Sequence, residues 1–524
     1  MNDTVKKMPV GIQDFEKLRT EGCVYVDKTR YVYELTRISR PYFLGRPRRF
    51  GKSLFLSTLK AYFLGKKELF EGLAIAELER DWIRYPVIYI DFNIGSNNDF
   101  SSLKNVLSAI LDNYESEWEI VEKYSDLPIR FAKLIQTAFE KSGRKVVVLV
   151  DEYDKALVNT IDKPTLNDDI RDFLKGFYGV LKGMDYCLRF VFLTGVTKFS
   201  KVSIFSDLNQ LTDISLDERY AAICGISETE LLHYFKPEIQ ALADKRKLSR
   251  DATFAEIKKR YDGYHFARES ENMYNPFSLL NVFDSLDFAY YWFKTGTATF
   301  LTKIIRNSNY DLTKFNDDIT IEVRSIDEYR AGETSFVPLL YQSGYLTIKS
   351  YDVELDAFTL GFPNEEVKYG FLKELLPAYV PGWGLDETFS VIAFVRAVRG
   401  GNVDGFMNLL KAWYASIPYD LEENRDKDEK YYQLIFYLLF TLTGQFIHTE
   451  VKTATGRADA VVKTADSIYV FEFKMDTAAT AEEALAQIDK KDYLIPYTPD
   501  SRRLVKIGVE FSVEKKGINR WLTG

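Results

Sequence analysis

Three consecutive residues, Gly51, Lys52 and Ser53, stand between an apolar stretch and an amphipathic one in YFLGRPRRFGKSLFLSTL (42–59). The order strand, tight loop, helix is the context in which such a loop binds phosphate. The backbone N–H groups of the loop point at phosphate oxygens, and the helix N-terminus adds partial positive charge. Lys52 would reach the β- and γ-phosphates, and the Ser53 hydroxyl would ligate Mg²⁺. The segment therefore predicts a site for a nucleoside triphosphate, in the first place ATP.

The loop departs from the standard spacing by one residue. Arg46 occupies the position of the first glycine, and the glycine stands one place earlier, at Gly45. An arginine there either strains the start of the loop or contacts a phosphate, and the residues alone do not decide between these. The predicted nucleotide-binding residues of the loop are Gly45, Arg46, Pro47, Arg48, Arg49, Phe50, Gly51, Lys52, Ser53 and Leu54.

Acidic and hydroxyl side chains follow two further apolar runs. In VVVLVDEYD (146–154), Asp151 ends the run and would hold Mg²⁺ together with Ser53, while Glu152 would polarise the attacking water. In FLTGVTK (192–198), Thr194 would place a hydroxyl near the γ-phosphate. Because open parallel sheets bind ligands at the carboxyl ends of their strands, these residues are expected to converge.

A second set of chemical groups lies in GRADAVVKTADSIYVFEFKMD (456–476). Asp459 is predicted to open one strand. Glu472 and Lys474 lie two apart on the next strand and so face one side. A turn at about 464–467 would bring the two carboxylates to one Mg²⁺ (or Mn²⁺), with Lys474 orienting or deprotonating a water. Two helical residues complete the predicted site, Glu429 as a further metal ligand and Gln487 as a residue that holds the site or touches substrate.

The alternative for this second set is a solvated ion-pair face on a hairpin, the usual fate of such charges. YVFEFK, however, places Glu472 and Lys474 among Val470, Phe471 and Phe473. A carboxylate and an ammonium turned inward from such a strand would be costly without a metal or a partner.

The elements needed to position these residues are indicated by periodicity. Buried strands are predicted at 41–44, 87–92, 146–150 and 188–193, with helices at 53–63, 103–110, 129–141 and 170–181. Strands that alternate with helices predict a parallel sheet covered by helices. We expect a P-loop domain at 1–215, a helical region at 216–310, a helix and hairpin at 311–385, and a second α/β domain at 386–524. The helix FVPLLYQ with the runs YLTIK and AFTLG is either winged-helix-like or a hairpin packed on the helical region. The turn-rich 261–281 is interpreted as a structural aromatic corner.

Composition narrows the class of protein. The net charge of −8 argues against a protein that merely coats nucleic acid, so any nucleic-acid contact is expected to be local. Three separated cysteines and three scattered histidines predict neither a disulfide framework nor a zinc site. Since no apolar run of membrane length and no signal peptide is visible, we expect a cytoplasmic protein with no membrane partner.

Residues 9–220 resemble the AAA-ATPase-like domain found at the N-terminus of many bacterial proteins. The resemblance rests on PVGIQDFEKLR, YVDKT, RPRRFGKSLFLSTLKAYF, ELFEGLAI, VLVDEYDKAL and LTGVTKFSKVSIFSDLNQL. In that family RPRRFGKS is the usual form of the P-loop, which makes Arg46 a family trait. The resemblance also implies the P-loop architecture with an additional strand.

Residues 380–515, approximately, resemble the PD-(D/E)xK nuclease superfamily in the branch that is fused to this ATPase-like domain. Its residues here are Glu429, Asp459, Glu472, Lys474 and Gln487, with GRAD and ALAQI as the most recognisable words. The expected fold is therefore α/β and multidomain: an AAA-like P-loop domain, a helical middle, and a restriction-endonuclease-like α/β domain.

Together these features favour a nucleotide-controlled, Mg²⁺-dependent nuclease that acts on DNA in preference to RNA. A different class stays open, a signalling or scaffold ATPase whose nuclease-like domain binds nucleic acid or protein without cleaving it. A third hypothesis is an ATPase that remodels a partner protein. A homo-oligomer is compatible with each of them.

Overall fold

The computed structural model of the protein describes residues 7–122, 124–198, 210–295, 319–327, 336–379, 391–415, 429–442, 446–453, 456–512, 514–515 and 517–524. Contacts between Cα atoms divide the chain into two units. The first contains the described residues up to Lys368, and the second runs from Tyr369 to Gly524. Among the described helices none is both long and apolar enough to cross a membrane.

A five-stranded parallel sheet forms the centre of the N-terminal region. Its strands are β1 (Pro41–Gly45), β2 (Val87–Asp91), β3 (Val146–Asp151), β4 (Leu188–Gly195) and β5 (Thr212–Asp213), in the order β2-β3-β4-β1-β5. The four long strands lie where the sequence predicted them. Strand β4 separates the P-loop strand from the strand that ends in Asp151, as the additional-strand architecture requires. Every residue of β3 is buried, as is typical of a central parallel strand.

Eight helices accompany this sheet: α1 (Phe15–Thr20), α2 (Thr29–Thr36), α3 (Lys52–Phe63), α4 (Ala74–Leu78), α5 (Phe100–Glu117), α6 (Leu127–Ser142), α7 (Lys155–Asn159) and α8 (Pro164–Gly183). Their boundaries follow local signals. Asp99 and Asp126 accept hydrogen bonds from the first turns of α5 and α6, and Gly143 ends α6 with a left-handed backbone.

The next region is helical, as predicted. It contains α9 (Glu228–Tyr234), α10 (Lys236–Arg246), α11 (Arg250–Tyr261) and α12 (Pro276–Ser285), with the short strands β6 (Ile226–Ser227) and β7 (Met273–Tyr274) paired antiparallel. Their buried faces share one core, which includes Leu231, Phe235, Ile239, Ile257 and Leu279. A 3₁₀ turn, Trp292–Thr295, follows.

A small antiparallel sheet completes the first unit. Strand β8 (Ile319–Glu322) is followed by the 3₁₀ turn Val323–Asp327, helix α13 (Val337–Ser343) and the hairpin of β9 (Thr347–Asp352) and β10 (Ala357–Gly361). The strand order is β8-β10-β9, with β10 pairing to both neighbours. Helix α14 (Glu365–Tyr379) comes next in the chain.

The C-terminal unit is a five-stranded mixed sheet with helices. Helices α15 (Val391–Arg399), α16 (Val403–Ala415) and α17 (Glu429–Leu442) precede β11 (Phe446–Thr453), β12 (Gly456–Lys463) and β13 (Ser467–Met475). Helix α18 (Ala481–Lys490), β14 (Arg503–Ser512) and β15 (Gly517–Thr523) follow. The sheet order is β11 to β15, and only the β13–β14 pair is parallel.

Two expectations for this unit need correction. Asp459 lies in the middle of β12, not at its start, because the strand already begins at Gly456. The sequence predicted a final strand near 504–511, but β15 follows it and pairs along its outer edge. Isoleucine, tryptophan and leucine in GINRWLT gave that short strand only a weak apolar signal.

Candidate functional site

The loop between β1 and α3 turns through two residues with a left-handed backbone. Gly51, the residue before the helix, has φ of 91°, and Arg49 has φ of 70°. Such a conformation costs a residue other than glycine about 1–2 kcal/mol. Strain of this kind gathers at functional sites, where the surrounding structure maintains it. The GKS segment thus forms the predicted transition from a tight loop to a helix N-terminus.

Lys52 is buried at the base of this loop, with 5% of its surface exposed. Its Nζ donates hydrogen bonds to the carbonyl oxygens of Arg46, at 2.8 Å, and Pro47, at 3.0 Å. Burial lowers the pKa of Lys52, and the charges of Glu152 and Asp151 act against that lowering. The ammonium group is therefore positioned by the loop and has one further N–H to donate.

Arg46 has a different role from either one that the sequence left open. Its guanidinium donates to the carbonyl oxygens of Gly45, Ser215 and Tyr220 at 2.9, 2.7 and 3.1 Å, and it lies over the ring of Phe266 at 4.3 Å. The side chain is buried behind the loop and is absent from the cavity wall described below. Arg46 therefore ties the start of the loop to neighbouring segments, and the prediction that its side chain binds nucleotide is corrected.

Asp151 lies at the end of β3 beneath the loop and is almost fully buried. Its Oδ1 accepts a 2.7 Å hydrogen bond from the Thr194 hydroxyl. Burial raises the pKa of Asp151, while the Ser53 and Thr194 hydroxyls act to lower it. Ser53 and Asp151 therefore lie close together, and their hard oxygen donors fit Mg²⁺. Thr194, expected at the γ-phosphate, instead directs its hydroxyl to Asp151.

Glu152 follows with a left-handed backbone, φ 51°, which turns its side chain toward the loop. Its Oε2 lies 3.2 Å from Nζ of Lys155. Burial acts to raise the pKa of Glu152, but the charges of Lys52 and Lys155 outweigh it and leave the pKa below its ordinary value. The carboxylate is therefore kept ionised, as a group that polarises water must be.

Asp154 is a buried carboxylate that sequence reasoning did not select. Its Oδ2 accepts hydrogen bonds from the backbone N–H groups of Val196 and Thr197, at 3.0 and 2.6 Å, and from the Thr197 hydroxyl at 2.6 Å. It thereby joins the segment after β3 to the segment after β4. Its position in DEYD, three residues after Asp151, was the available signal.

A cavity of about 460 Å³ opens over the loop, a volume within the range of about 300–1,000 Å³ typical of small-molecule sites. Seven predicted residues line it: Arg48, Arg49, Gly51, Lys52, Ser53, Leu54 and Glu152. Phe50 does not line it, because its ring packs against Tyr264 and Phe266.

Much of the remaining cavity wall comes from segments that were not predicted to be functional. They include Pro9, Gly11, Ile12 and Gln13 before α1; Pro276, Phe277 and Leu280 of α12; Trp292 and Phe293; and Ser343 and Tyr345 around the end of α13. The stretch 261–281, interpreted as a structural corner, thus contributes part of the wall. Its only signal was the word YNPFSLL, in which no side chain is charged.

The second candidate site is centred on Glu472 of β13, which is 1% exposed. Lys474 donates from Nζ to Glu472 Oε1 at 2.8 Å, and the Gln487 amide of α18 donates to the same oxygen. The neighbouring rings of Phe471 and Phe473 lie against Phe436 of α17, with centroids 4.8 and 5.0 Å away. Alternation along the strand thus places the aromatic side chains on the α17 face and Glu472 with Lys474 on the α18 face.

Asp459 joins this site where β12 and β13 separate. The last paired residues are Ala460 and Phe471, and beyond them the Asp459 Oδ2 accepts a 2.7 Å hydrogen bond from the N–H of Phe473. The Asp459 carboxylate thus takes the place of a backbone carbonyl as the acceptor for the Phe473 N–H. The predicted turn and strand pairing therefore bring Asp459 beside Phe473, the residue after Glu472.

The donor set fits a divalent cation in its chemistry. Asp459 and Glu472 offer the hard carboxylate oxygens that Mg²⁺ and Mn²⁺ take. Glu429 is the first residue of α17, as predicted, but its side chain lies outside the described residues. Among the side chains that are described, no three histidine, cysteine, aspartate or glutamate residues gather closely enough to form a complete metal cage.

Glu510 of β14 is a further buried carboxylate that sequence reasoning missed. It accepts hydrogen bonds from the N–H of Ala481, at 3.0 Å, and from Arg520 Nε, at 3.1 Å. Because Ala481 is the first residue of α18, Glu510 fixes the start of the helix that carries Gln487. The available sequence signal was a glutamate within the mostly apolar run VKIGVEFS, just as Glu472 lies within YVFEFK.

Comparison with known proteins agrees with the order of these two sites. A family model described as "Predicted AAA-ATPase" matches residues 9–205, and one described as "PD-(D/E)XK nuclease superfamily" matches residues 427–521. "Uncharacterized protein in vnfD 5'region" of Azotobacter chroococcum mcd 1 is 37% identical over 524 residues, which cover 98% of each chain. Both resemblances found in the sequence are confirmed, although the second match begins later than residue 380.

Proposed function

The chain belongs to the family in which an AAA-ATPase-like domain precedes a PD-(D/E)XK nuclease superfamily domain, and from this premise we propose a nucleotide-controlled nuclease. The N-terminal cavity binds ATP with Mg²⁺ and hydrolyses it. The C-terminal site hydrolyses phosphodiester bonds of nucleic acid, DNA in preference to RNA, with a divalent cation. The nucleotide state of the first site controls the second.

The observation that carries this proposal is the environment of Glu472. A carboxylate with 1% exposure on a largely apolar strand is held by a lysine and a glutamine on a single oxygen. A structural ion pair needs only one partner, and burying it is rarely favourable. Two donors that orient one oxygen, with Asp459 nearby, are what a metal-dependent hydrolytic site requires.

Each residue of the C-terminal site receives a role from its contacts. Asp459 and Glu472 would hold the cation, and the bound cation would activate water and offset the charge that develops on phosphorus. Lys474 orients the attacking water, since its Nζ already lies at the Glu472 carboxylate. Gln487 fixes the rotamer of Glu472 and is a positioning residue.

The residues of the N-terminal cavity receive roles in binding the phosphates, the metal ion and the nucleobase. Lys52 and the loop N–H groups bind the β- and γ-phosphates, and Ser53 with Asp151 hold Mg²⁺. Glu152, ionised through its lysine neighbours, orients the water that attacks the γ-phosphate. Of the other residues that line the cavity, Ile12 and Leu280 offer apolar surface for the nucleobase.

Metal-dependent cleavage of plasmid, single-stranded DNA and RNA tests the proposal. Wild-type protein is compared with Glu472→Ala and with Asp489→Asn, a matched control on α18 whose exposed carboxylate pairs with Lys506. Each is assayed with Mg²⁺ or Mn²⁺, alone and with ATP or a non-hydrolysable analogue. We expect cleavage by wild type and Asp489→Asn, none by Glu472→Ala, and a nucleotide effect that Lys52→Ala abolishes.

Other outcomes separate the competing hypotheses. If wild type and Glu472→Ala bind every substrate but leave it intact, the scaffold hypothesis replaces the nuclease. If cleavage occurs but is the same with and without nucleotide, the nuclease stands and its control by ATP is wrong.

A further inference from the structure

Residues 319–327 and 336–361 form a module whose arrangement suits a winged helix. Helix α13 lies in the chain between β8 and the β9–β10 hairpin, and the sheet order is β8-β10-β9. A module of this kind that reads DNA lays an exposed helix in the major groove. Here the helix VPLLYQS has no cationic residue and is mostly buried, and the hairpin tip carries Asp352, Glu354 and Asp356. These features are the reverse of a nucleic-acid-binding surface.

The end of α13 is instead packed on the two segments that surround the phosphate end of the cavity. Gln342 accepts a 2.8 Å hydrogen bond from the N–H of Lys198, just after β4, and donates to the Ile326 carbonyl at 2.9 Å. Gly344 meets Pro47 so closely that a Cβ on it would lie 2.6 Å from the proline Cβ. Since Gly344 also has φ of 90°, only glycine suits this contact.

Aromatic residues extend the contact into the cavity. Tyr345 lines it together with Trp292, and their ring centroids are 5.1 Å apart. The indole Nε1 of Trp292 donates to the Arg48 carbonyl at 3.3 Å. Residues 342–345 and Trp292 therefore touch both Pro47 and Arg48, the part of the loop that precedes the lysine.

Lys52 connects residues 342–345 and Trp292 to the nucleotide. Its Nζ donates to the carbonyls of Arg46 and Pro47, and the same ammonium is the group that reaches the β- and γ-phosphates. A terminal phosphate that accepts a hydrogen bond from Lys52 competes with the Pro47 carbonyl for the same ammonium. Pro47 in turn packs on Gly344. The wall therefore faces the end of the nucleotide at which ATP and ADP differ.

Resting on the proposed nucleotide site, we infer that the segment 342–345 and Trp292 form a wall that discriminates the triphosphate from the diphosphate. The module of residues 319–327 and 336–361 serves the nucleotide cavity and does not read nucleic acid. Discrimination arises because the Pro47–Gly344 and Arg48–Trp292 contacts are compatible with only one arrangement of the loop. A ligand can select this arrangement over another only if it binds the two with different affinity.

The test measures dissociation constants for ADP and a non-hydrolysable ATP analogue by calorimetry, on the full chain with Mg²⁺. Trp292→Phe keeps a ring but removes the donor to Arg48, and Gly344→Ala forces a Cβ onto Pro47. Leu355→Ala, at the exposed hairpin tip of the same module, is the matched control. We expect the preference for the ATP analogue over ADP to change about tenfold in the first two variants and to stay within twofold in the control.

The outcomes distinguish this inference from the proposed function. If wild type binds neither nucleotide, the proposed ATP site itself is wrong. If wild type binds both and the Trp292→Phe preference equals that of wild type, the discriminating wall is wrong while the site stands. Should Gly344→Ala fail to fold, Trp292→Phe alone decides. A loss of affinity for duplex DNA with unchanged nucleotide preference would also overturn the inference.

Discussion

The candidate site on β13 is assembled from residues 459–487, whereas the cavity over the P-loop takes its walls from segments between residues 9 and 345. The C-terminal site needs one hairpin and one helix, so its geometry is set by local pairing and alternation. The N-terminal cavity needs the ends of several strands together with the helical region and a small sheet. The first is therefore a local arrangement of charges, and the second is a product of tertiary packing.

The two lysines show the same contrast. Lys474 is compensated by a direct ion pair with Glu472, two residues away on its own strand. Lys52 is compensated by carbonyl oxygens of its loop, with the carboxylates of Glu152 and Asp151 acting on its pKa from other elements. Replacing Lys474 thus tests an ion pair within one strand, whereas replacing Lys52 tests a loop that several elements hold together.

The largest effect on nucleotide binding is expected for Lys52→Met, which keeps the apolar stem and removes the ammonium. ATP with Mg²⁺ at a hundredfold excess over its dissociation constant should stabilise wild type by about 2.7 kcal/mol. The variant should lose nearly all of this stabilisation because Lys52 is the cationic group at the base of the loop. Thermal unfolding with and without nucleotide measures it, and Lys60→Met, on the exposed side of the same helix, should behave as wild type. Full stabilisation of Lys52→Met would contradict a P-loop site.

The next effect is a pH dependence of stability that arises from Glu366 in the first unit. Burial raises the pKa of Glu366 from 4.5 to about 7, while its hydrogen bonds from Ser278 and the Trp292 N–H act to lower it. Between these values the folded state holds a proton that the unfolded state releases, so the contribution of Glu366 to stability is greatest below pH 4.5 and is lost as pH rises to 7. The decline should total roughly 3 kcal/mol.

Denaturant unfolding across that pH range, compared with Glu366→Gln, measures this contribution. The glutamine variant cannot ionise and should lack the Glu366 part of the decline. Parallel pH profiles for the two proteins would show that Glu366 titrates at an ordinary pKa in the folded state.

At the C-terminal site, Gln487→Ala should reduce cleavage by about 10–100-fold, the usual cost of removing a group that orients a metal ligand. The expected cause is a mobile Glu472, so the variant should also need more Mn²⁺ for half-maximal rate. Asp489→Asn, two residues along α18, serves as the control. A variant with the wild-type rate and metal requirement would remove Gln487 from the site.

The smallest effect is expected for Thr194→Val, which deprives the buried Asp151 of a 2.7 Å hydrogen bond. Stability should fall by about 1–2 kcal/mol, and Mg²⁺-dependent nucleotide affinity should fall with it. Thr194→Ser retains the hydroxyl and should restore both. If Val and Ser variants are indistinguishable in nucleotide affinity, Thr194 has no positioning role in the metal site.

The strands, the P-loop and the order of the two domains could be predicted because their signals lie in short segments. Val146–Asp151 is apolar at every position before its carboxylate, and a period of two places Glu472 and Lys474 on one side. The same local reasoning erred over Asp459 as a strand start and overlooked β15, since one edge strand adds little apolar pattern. It left the β9–β10 module open between two interpretations.

The sequence by itself determined the candidate residues for chemistry: the GKS loop, the carboxylates that end or interrupt apolar strands, and the lysine two residues after Glu472. Only the tertiary structure decided that Arg46 is buried behind the loop, that Thr194 faces Asp151, and that Trp292 and Tyr345 line the cavity. The physical reason is that side-chain type and spacing fix what a residue can donate or accept. Which partner it meets depends on packing between elements that are not neighbours in the sequence.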